Sequence, residues 1–378
     1  MKKIYAVAGA TSTFMGPGRP EFDPKNLPSF KDHLIESISE TLKQGDYVFD
    51  EGVISSFMPG PFFQQGHLGA FLPAFVPSLL GKPCLSIDGA CGSGGRALTH
   101  AIKTILSGEA EQVFVAGLEM QNTMKPLYVA DVLAGASDYH AFRKEGDAFF
   151  FPSLFDRRAA AYIQKYGEAK TREEMALWSI AAIEKAAKFS KSQEYGNVRK
   201  DLAKEARAAP NPDRFLSCLN GLACSKITDG AASCVLTTQK GGVEIISWGE
   251  AEGNITKLPA DATRLDMMAI AVKKALDRAG IKPSDLSYLE IHDCFAITAL
   301  LAVEAIGFAP TGKGGEFLQN PGKLKINLTG GLIGFGHPTG ATGVRQMADL
   351  IRYMDEGYGM MVNMGGDDKT LTAIVVKK

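Results

Sequence analysis

The stretch 86-SIDGACGSGG-95 joins a short apolar strand to a helical segment and places a cysteine in the turn between them. The run 83–87 is typical of a brief buried strand. After the turn, apolar residues recur at helical spacing over 97–106, and Gly108 ends the pattern. A thiol in this turn lies at a helix N-terminus, where the dipole and the free N–H groups favour the thiolate. Its small neighbours leave the sulfur accessible to a substrate, so we predict that Cys91 is a nucleophile.

The composition indicates a globular protein of two or three domains, because 378 residues are too many for one ordinary core. The formal net charge of −1 gives no support to a nucleic-acid partner or a membrane partner. Six irregularly spaced cysteines, without a Cys-x-x-Cys pair, indicate neither a disulfide scaffold nor zinc. We therefore expect a cytoplasmic protein without a metal, whose residues 4–10 form the first strand rather than a signal peptide.

Strands, glycine-containing turns and helices alternate along the chain, which predicts an α/β protein with a mainly parallel sheet. Aromatic loops and a charged helical stretch interrupt this alternation and indicate an insertion. The predicted units are the first part of an N-terminal half over 1–119, an inserted loop domain over 120–213, the last part of the N-terminal half over 214–245, and a C-terminal half over 246–378.

Two further motifs carry reactive side chains in the second half. A predicted strand ends in His292-Asp293-Cys294-Phe295, and His337 lies in a glycine-rich turn. Each residue alone has a structural alternative: core packing for either cysteine, helix capping for His337, and a satisfied polar contact for His292. Ligands of open α/β sheets bind at strand ends, however, and two thiols with imidazoles suit acyl transfer with carbanion chemistry. The turn lacks the Gly-x-Gly-x-x-Gly order and the P-loop lysine, which disfavours a nucleotide site.

Taken together, these motifs resemble those of thiolases. The resemblance rests on Ala90 to Gly94, on the turn 330–343 with Gly336-His337-Pro338, and on Asp229-Gly230-Ala231-Ala232. The His-Asp-Cys-Phe motif is similar to that of sterol-carrier-protein-type thiolases, whereas common thiolases have Asn-Glu-Ala-Phe there. Common thiolases also carry a second catalytic cysteine in a C-terminal Cys-x-Gly, where this chain has Asn363-Met364-Gly365. The resemblance therefore implies that Cys294 replaces that cysteine.

The thiolase resemblance implies a duplicated five-layer α-β-α-β-α fold with an inserted loop domain, and a role for each motif residue. Cys91 would carry the acyl group, Cys294 would act as acid and base, and His337 would ionise Cys91 and bind the thioester oxygen. His292 would serve the oxyanion hole of the enolate. The remaining roles are the oxyanion-hole N–H groups of Cys91 and Gly365, and a place beside the pantetheine arm for Ser225.

The implied activity is cleavage of a 3-oxoacyl-CoA by CoA, as in β-oxidation, or the reverse Claisen condensation. The coenzyme A thioester would be a substrate, and no bound cofactor is expected. Three alternatives stay open: a thiolase-fold retro-aldol C–C lyase, a decarboxylating ketosynthase or hydroxymethylglutaryl-CoA synthase, and a non-catalytic acyl-CoA-binding subunit. Cys91 stands against the lyase, because such relatives typically lack the nucleophilic cysteine. The resemblance also implies a homodimer, with a separate small zinc-ribbon and OB-fold protein as a further partner.

The sequence leaves the substrate's acyl chain and the contacts of its phosphates open. Several aromatic residues suggest a pocket for a bulky or aryl acyl group, although core packing explains them equally well: Phe57, Phe62, Phe63, Phe71, Phe75 and the run Phe149-Phe150-Phe151. Several basic residues could meet the CoA phosphates: Arg143, Lys144, Lys185, Lys188 and Lys191.

Overall fold

A computed structural model describes residues 2–143, 150–210 and 216–378 of the chain. Its strands are β1 Ile4–Thr11, β2 Glu51–Ser55, β3 Cys84–Ile87, β4 Gln112–Glu119, β5 Gly230–Thr237, β6 Val243–Glu252, β7 Leu286–Glu290, β8 Lys325–Ile326, β9 Tyr358–Gly365 and β10 Thr370–Lys377. Its α-helices are α1 Phe30–Leu42, α2 Pro59–Phe63, α3 Leu72–Phe75, α4 Ser93–Ser107, α5 Pro126–Leu133, α6 Tyr139–Phe142, α7 Phe150–Tyr166, α8 Glu168–Ala186, α9 Leu202–Ala206, α10 Asp266–Ala279, α11 Ala296–Ile306, α12 Gly314–Gln319, α13 Gly331–Gly334 and α14 Thr342–Tyr353.

The described strands form one ten-stranded sheet that repeats the same arrangement twice. The strand order is β3-β2-β4-β5-β1-β6-β10-β9-β7-β8. Read inward from one edge, the order is β3-β2-β4-β5-β1, and read inward from the other edge it is β8-β7-β9-β10-β6. The second half therefore repeats the order of the first half. The two halves meet where β1 pairs with β6 at the centre of the sheet. This duplication confirms the predicted α/β fold, and β1 confirms that residues 4–10 belong to the first strand.

The prediction of a mainly parallel sheet was wrong, because the sheet is mixed. The strand β2 is parallel to β3 and β4, and β7 is parallel to β8 and β9. In contrast, β5 is antiparallel to both β1 and β4, and β10 is antiparallel to both β6 and β9. A short turn joins β9 to β10. Gly230 at the start of β5 pairs with Glu119 at the end of β4, although the inserted segment lies between these two strands. Each of these strands therefore runs back along its predecessor.

Two helices lie between the halves of the sheet and form the central layer. The helix α4 contacts β2 and β4 of the first half and β9 and β10 of the second half. The helix α14 likewise contacts β1, β5 and β9. On the outer faces, α1 packs against β1 and β5, and α10 packs against β6 and β10. This arrangement gives the five layers that the thiolase resemblance implies.

The central helices approach one another at glycines. A Cβ atom on Gly94 would lie 2.7 Å from the backbone nitrogen of Gly343, and a Cβ atom on Gly343 would lie 2.4 Å from the nitrogen of Gly95. Side chains cannot be accommodated at such separations, so the sequence must be glycine here. Because α4 follows the turn of Cys91 and α14 follows the turn of His337, this contact brings the two turns together.

Helices occupy the described part of the segment between β4 and β5, which the sequence predicted as an insertion. The helix α8 packs against α11, α12 and α13 of the second half of the chain. The unit boundaries stay predictions, and the one between 213 and 214 lies outside the described residues. Across residues 2–143, 150–210 and 216–378, every helix is too short or too polar to span a membrane.

Substitution of Gly343 by alanine should destabilise the fold and disturb the relation of Cys91 to His337. The added methyl group overpacks the contact between α4 and α14, which costs about 1–3 kcal/mol. Urea-induced unfolding should show a lower midpoint for the variant. Gly60→Ala is the matched control, because a Cβ atom at Gly60 meets open space. Equal stability of the two variants would contradict the helix contact.

Candidate active site

Cys91 lies in a tight turn between β3 and α4. The turn is a single 3-10 helical turn over Ala90–Gly92, and Ala90 has a left-handed φ of 53°. Such a φ is strained for a residue with a side chain, and it persists where the surroundings enforce it. The hydroxyl of Ser93 provides one such constraint, because it accepts a hydrogen bond from the N–H of Gly89 at 2.9 Å. The side chain of Cys91 is buried and lines a cavity.

Three of the predicted residues converge on one point. The Sγ atom of Cys91 and one ring nitrogen each of His292 and His337 lie within 4.8 Å of one another. The two imidazoles are perpendicular, with centroids 5.0 Å apart. Cys294 lines the same cavity as Cys91 and His337. Among the described residues, Cys91, His292 and His337 are also the one set of donors whose spacing could suit a metal ion.

A buried carboxylate holds the turn of His337 in place. Glu119 ends β4, and it accepts hydrogen bonds from the Thr339 hydroxyl at 2.8 Å and the Gly340 N–H at 3.1 Å. It also accepts from the Phe57 N–H at 2.6 Å, beyond the end of β2. The turn is thereby fastened to the carboxyl ends of two strands of the first half. The sequence analysis missed Glu119, because a single acidic residue at a strand end carries no motif.

The loop that carries His292 and Cys294 is fixed through Asp293 between them. The Asp293 carboxylate accepts from the Leu332 N–H at 2.7 Å, the Asn327 amide at 2.9 Å and the Trp178 indole N–H at 3.1 Å. These donors come from the glycine-rich turn, the segment after β8 and the inserted helix α8. The motif thus joins three segments at the site.

Asn363 on β9 connects the reactive cysteine to the second histidine. Its amide nitrogen donates to the Cys91 carbonyl at 3.0 Å and lies 3.2 Å from Nδ1 of His292. Its amide oxygen accepts from the Gly95 N–H at 2.9 Å. The sequence analysis noted Asn363 only as the residue that replaces the usual cysteine, so this role was missed.

All four reactive groups are neutral in the substrate-free protein because they are buried. Burial raises the pKa of the Cys91 thiol to about 12 and raises the pKa of Cys294 well above its usual value. Burial also lowers the pKa of His337 to about 3 and the pKa of His292 well below its usual value, and the positive charge of Arg345 lowers both further. A nucleophilic attack by Cys91 would therefore require its thiol proton to move at the same time.

Burial opposes the thiolate that the helix N-terminus favours. The backbone N–H groups of Cys91 and Gly366 lower the pKa of the thiol, but burial outweighs them. Gly366 is the neighbour of the predicted oxyanion donor Gly365. At Gly365 a Cβ atom would lie 2.1 Å from the Gly89 carbonyl, so this glycine permits a close backbone contact. An oxyanion role for Gly365 stays a prediction.

The site opens into a cavity of about 210 Å³. Its lining is largely apolar and comes from the inserted segment, the 216–227 loop and the catalytic turns: Cys91, Gln121, Pro126, Ala130, Leu133, Phe151, Pro152, Leu216, Cys224, Ser225, Lys226, Ile227, Cys294, Phe295, His337 and Thr339. The predicted Ser225 lies beside Cys294, because its N–H donates to the Cys294 carbonyl at 2.8 Å. Cys224, which the sequence did not single out, also lines the cavity.

The basic side chain in the cavity wall is Lys226, which the sequence did not single out. It pairs with Glu194, and burial lowers the pKa of its ammonium group. Among the described basic candidates, Lys185 donates to a backbone carbonyl at 2.8 Å and Lys191 pairs with Glu40 at 2.5 Å, away from the cavity lining. Arg143 and Lys188 are likewise not part of that lining, and Lys144 lies outside the described residues.

Most of the predicted aromatic residues belong to the hydrophobic core. Of the set, Phe151 lines the cavity, whereas Phe57, Phe62 and Phe150 are buried in a core cluster. Phe63 and Phe75 pack at core edges, Phe71 packs edge-on against Phe30, and Phe149 lies outside the described residues. Phe295 lines the cavity and stacks on Phe155 with ring centroids 4.2 Å apart.

Two family models and several curated relatives match this chain. Residues 251–364 match the family described as thiolase C-terminal domain-like, and residues 58–151 match the beta-ketoacyl synthase N-terminal domain. The acetyl-CoA acetyltransferase of Methanothermobacter thermautotrophicus is 31% identical over 90% of this chain and 93% of its own length. Sterol carrier protein 2 of Oryctolagus cuniculus is 28% identical over 72% of this chain, which spans about half of that protein (52%).

Solved structures share the fold across the whole chain. The Acat5 thiolase from Ascaris suum in complex with coenzyme A has a TM-score of 0.75 at 19% identity, with 100% of both chains covered. The Ltp2-ChsH2(DUF35) aldolase has a TM-score of 0.77 at 15% identity and covers 100% of this chain and 98% of that one.

The alkylation of Cys91 by iodoacetamide should report its raised pKa. In the substrate-free protein the rate should rise about tenfold per pH unit from about pH 7 to about pH 10, because the reactive thiolate becomes populated only at higher pH. Peptide mass mapping would follow the modified cysteine, with Cys91→Ser identifying the peptide and glutathione as the reference thiol. A plateau below about pH 8 would contradict a buried, protonated thiol.

Proposed function

This chain belongs to the thiolase family and is an acyltransferase, and on that premise we propose that it cleaves a 3-oxoacyl-CoA with CoA through an acyl-cysteine intermediate. The observation that carries the proposal is the convergence of Cys91, His292 and His337 in a buried cavity that also holds Cys294. A nucleophilic thiol, a base beside it and a second thiol are the groups that acyl transfer with a carbanion intermediate requires.

In the first half-reaction, Cys91 attacks the 3-oxo carbon while its proton passes to His337. The resulting alkoxide collapses, and the bond between C2 and C3 breaks. The acyl group stays on the sulfur of Cys91, and the released fragment is the enolate of a CoA thioester. Cys294 then gives its proton to the enolate carbon. The raised pKa of Cys294 keeps this thiol protonated until that step.

In the second half-reaction, the thiolate of Cys294 takes the proton of incoming CoA. The CoA sulfur attacks the acyl group, the bond between that group and Cys91 breaks, and the shortened acyl-CoA leaves. Cys91 recovers its proton from His337. Synthesis is the same sequence in reverse. The chain's own residues supply every proton transfer.

Backbone donors would stabilise the alkoxide formed on the substrate. The N–H groups of Cys91 and Gly366 lower the pKa of the Cys91 thiol, and Gly365 is the donor that the thiolase resemblance implies. Removal of one such donor from an oxyanion hole typically costs about 3 kcal/mol in the transition state.

The acyl chain of the substrate would lie against the inserted helices. Pro126, Ala130 and Leu133 of α5, with Phe151 and Pro152 of α7, supply an apolar wall. This wall supports a bulky or aryl 3-oxoacyl-CoA, because apolar surface favours apolar acyl groups. Ser225 and Lys226 lie on the polar side, where the pantetheine arm would enter.

A retro-aldol lyase is the second candidate, because the fold is shared with an aldolase. A retro-aldol cleavage forms no acyl-enzyme and has no use for a thiol nucleophile. The position of Cys91 beside two histidines therefore favours acyl transfer.

The name of that aldolase structure includes a second protein, ChsH2(DUF35), which supports association of this chain with a separate subunit. We expect that subunit to be the small zinc-ribbon and OB-fold protein that the thiolase resemblance implies, and co-purification from the source cell would test it.

Acylation should occur on Cys91. We expect that incubation with a panel of acyl-CoA thioesters, followed by peptide mass analysis, finds the acyl group on this cysteine, and that bulky or aryl acyl groups label fastest. Cys91→Ala should remove the label. An acyl group on another residue, or cleavage of a 3-oxoacyl-CoA without CoA, would refute the mechanism.

The variant Cys294→Ala separates the two cysteine roles within the same experiment. It should still form the acyl-enzyme in part but fail to exchange the α-proton of acetyl-CoA with solvent. Persistence of the exchange at the normal rate would contradict the acid–base role of Cys294, whether or not Cys91 is acylated.

We also propose a homodimer formed along β3. This strand is an edge of the sheet, paired only with β2 among the described strands, and its apolar residues Cys84, Leu85 and Ile87 are half-buried. An open edge of this kind favours pairing with another strand, and a second copy offers the same edge. Light scattering after gel filtration should give twice the chain mass of 40.4 kDa, and Leu85→Lys should reduce it to one chain. A monomer in the unmodified protein would refute the dimer.

A further inference from the structure

We propose that Asn363 is a positioning residue that holds His292 in the tautomer with its proton on Nε2. His292 and His337 lie next to each other beside Cys91. The amide group of Asn363 lies beside His292, and its orientation is fixed by backbone groups.

The two ends of the Asn363 amide cannot be exchanged. The oxygen accepts from the backbone N–H of Gly95 at 2.9 Å, and the nitrogen donates to the backbone carbonyl of Cys91 at 3.0 Å. A backbone N–H can only donate and a carbonyl can only accept. Flipping the amide would therefore break both bonds inside a buried site, where an unpaired polar group costs about 1–3 kcal/mol.

The fixed amide determines the tautomer of His292. The amide nitrogen lies 3.2 Å from Nδ1 of the imidazole and carries a second hydrogen for it. Nδ1 must then accept, so the single proton of the neutral ring is on Nε2. The ring stays neutral because it is buried and close to Arg345, which lowers its pKa well below the usual value.

His337 can hold the opposite tautomer. Its Nδ1 lies 2.7 Å from the hydroxyl oxygen of Thr342, which is also 3.1 Å from the Pro338 carbonyl. When the hydroxyl donates to that carbonyl, Nδ1 of His337 donates to the hydroxyl, which leaves a lone pair on Nε2. One imidazole beside Cys91 thus offers a base and the other offers a donor.

Because the protonated ring nitrogen differs between the two histidines, they suit different steps of the reaction. This assignment of steps rests on the proposed function. His337 can take the thiol proton of Cys91, whereas His292 can donate to the developing enolate oxygen. The same difference disfavours a metal ion between them. A metal-ligating histidine uses an unprotonated nitrogen and donates its other N–H to an acceptor, but Asn363 presents His292 with a donor.

Replacement of Asn363 by aspartate should reverse the tautomer, because a carboxylate accepts from Nδ1–H. We expect α-proton exchange of acetyl-CoA to fall on the order of 10²-fold or more, since a donor to the enolate is lost. Acylation of Cys91 should also fall, because the variant loses the hydrogen bond to the Cys91 carbonyl, but it should fall less than the exchange, since His337 is untouched. The variant should also bind Cd²⁺ with a sulfur-to-metal absorption band that the unmodified protein lacks. Asn254→Asp, at an exposed position, is the control for added charge and should match the unmodified protein.

The direct measurement uses the unmodified protein. Nitrogen NMR of protein labelled at its six histidines, with His292→Gln to assign the signal, should show an unprotonated Nδ1 for His292. A protonated Nδ1 there would overturn the proposal, as would equal losses of exchange and acylation in a folded Asn363→Asp variant. The NMR result needs no turnover, so it stands apart from any failure of the proposed function.

Discussion

The site depends on how closely α4 and α14 approach. With glycine at positions 94 and 343, the two backbones come within a separation that excludes side chains. Each helix begins just after a reactive turn, so their contact sets the distance between Cys91 and His337. Asn363 on β9 also holds the first turn of α4 and the turn of Cys91, because its amide forms hydrogen bonds with the backbone of Gly95 and Cys91. A small loosening of this contact would separate Cys91 from His337, the proposed nucleophile and its proposed base.

Burial gives the site its chemical character. Water-excluded surroundings keep both thiols protonated and both imidazoles neutral, so no charge is stored before substrate binds. In the proposed reaction, charge develops only after substrate binds. Hydrogen-bond donors held in fixed positions stabilise that charge strongly, because the surroundings are poorly polarisable. The groups that hold these donors are themselves buried and polar. Glu119 and Asp293 each accept several hydrogen bonds, which offsets the cost of burying a carboxylate.

The inserted helices line the cavity, and one of them also holds the β9–β10 turn in place. The fully buried Arg158 of α7 pairs with Asp367, immediately after Gly366, and donates to the carbonyls of Ala262 and Arg264. Breaking a buried pair of this kind typically costs about 3–5 kcal/mol, because it leaves an uncompensated charge. The turn that presents the Gly366 N–H to Cys91 is therefore anchored to the same helix that supplies Phe151 to the cavity wall.

The sequence by itself determined the alternation of strands and helices and singled out the candidate reactive residues Cys91, His292, Cys294 and His337. Those features depend on local spacing and on side-chain chemistry, which a linear chain displays. Only the tertiary structure decided that the sheet is mixed and that Glu119 and Asn363 hold the site. It also decided that Cys91 is buried, which raises the pKa of its thiol. Strand direction, burial and the partners of a lone polar residue all depend on segments far apart in the chain, and no local pattern encodes them.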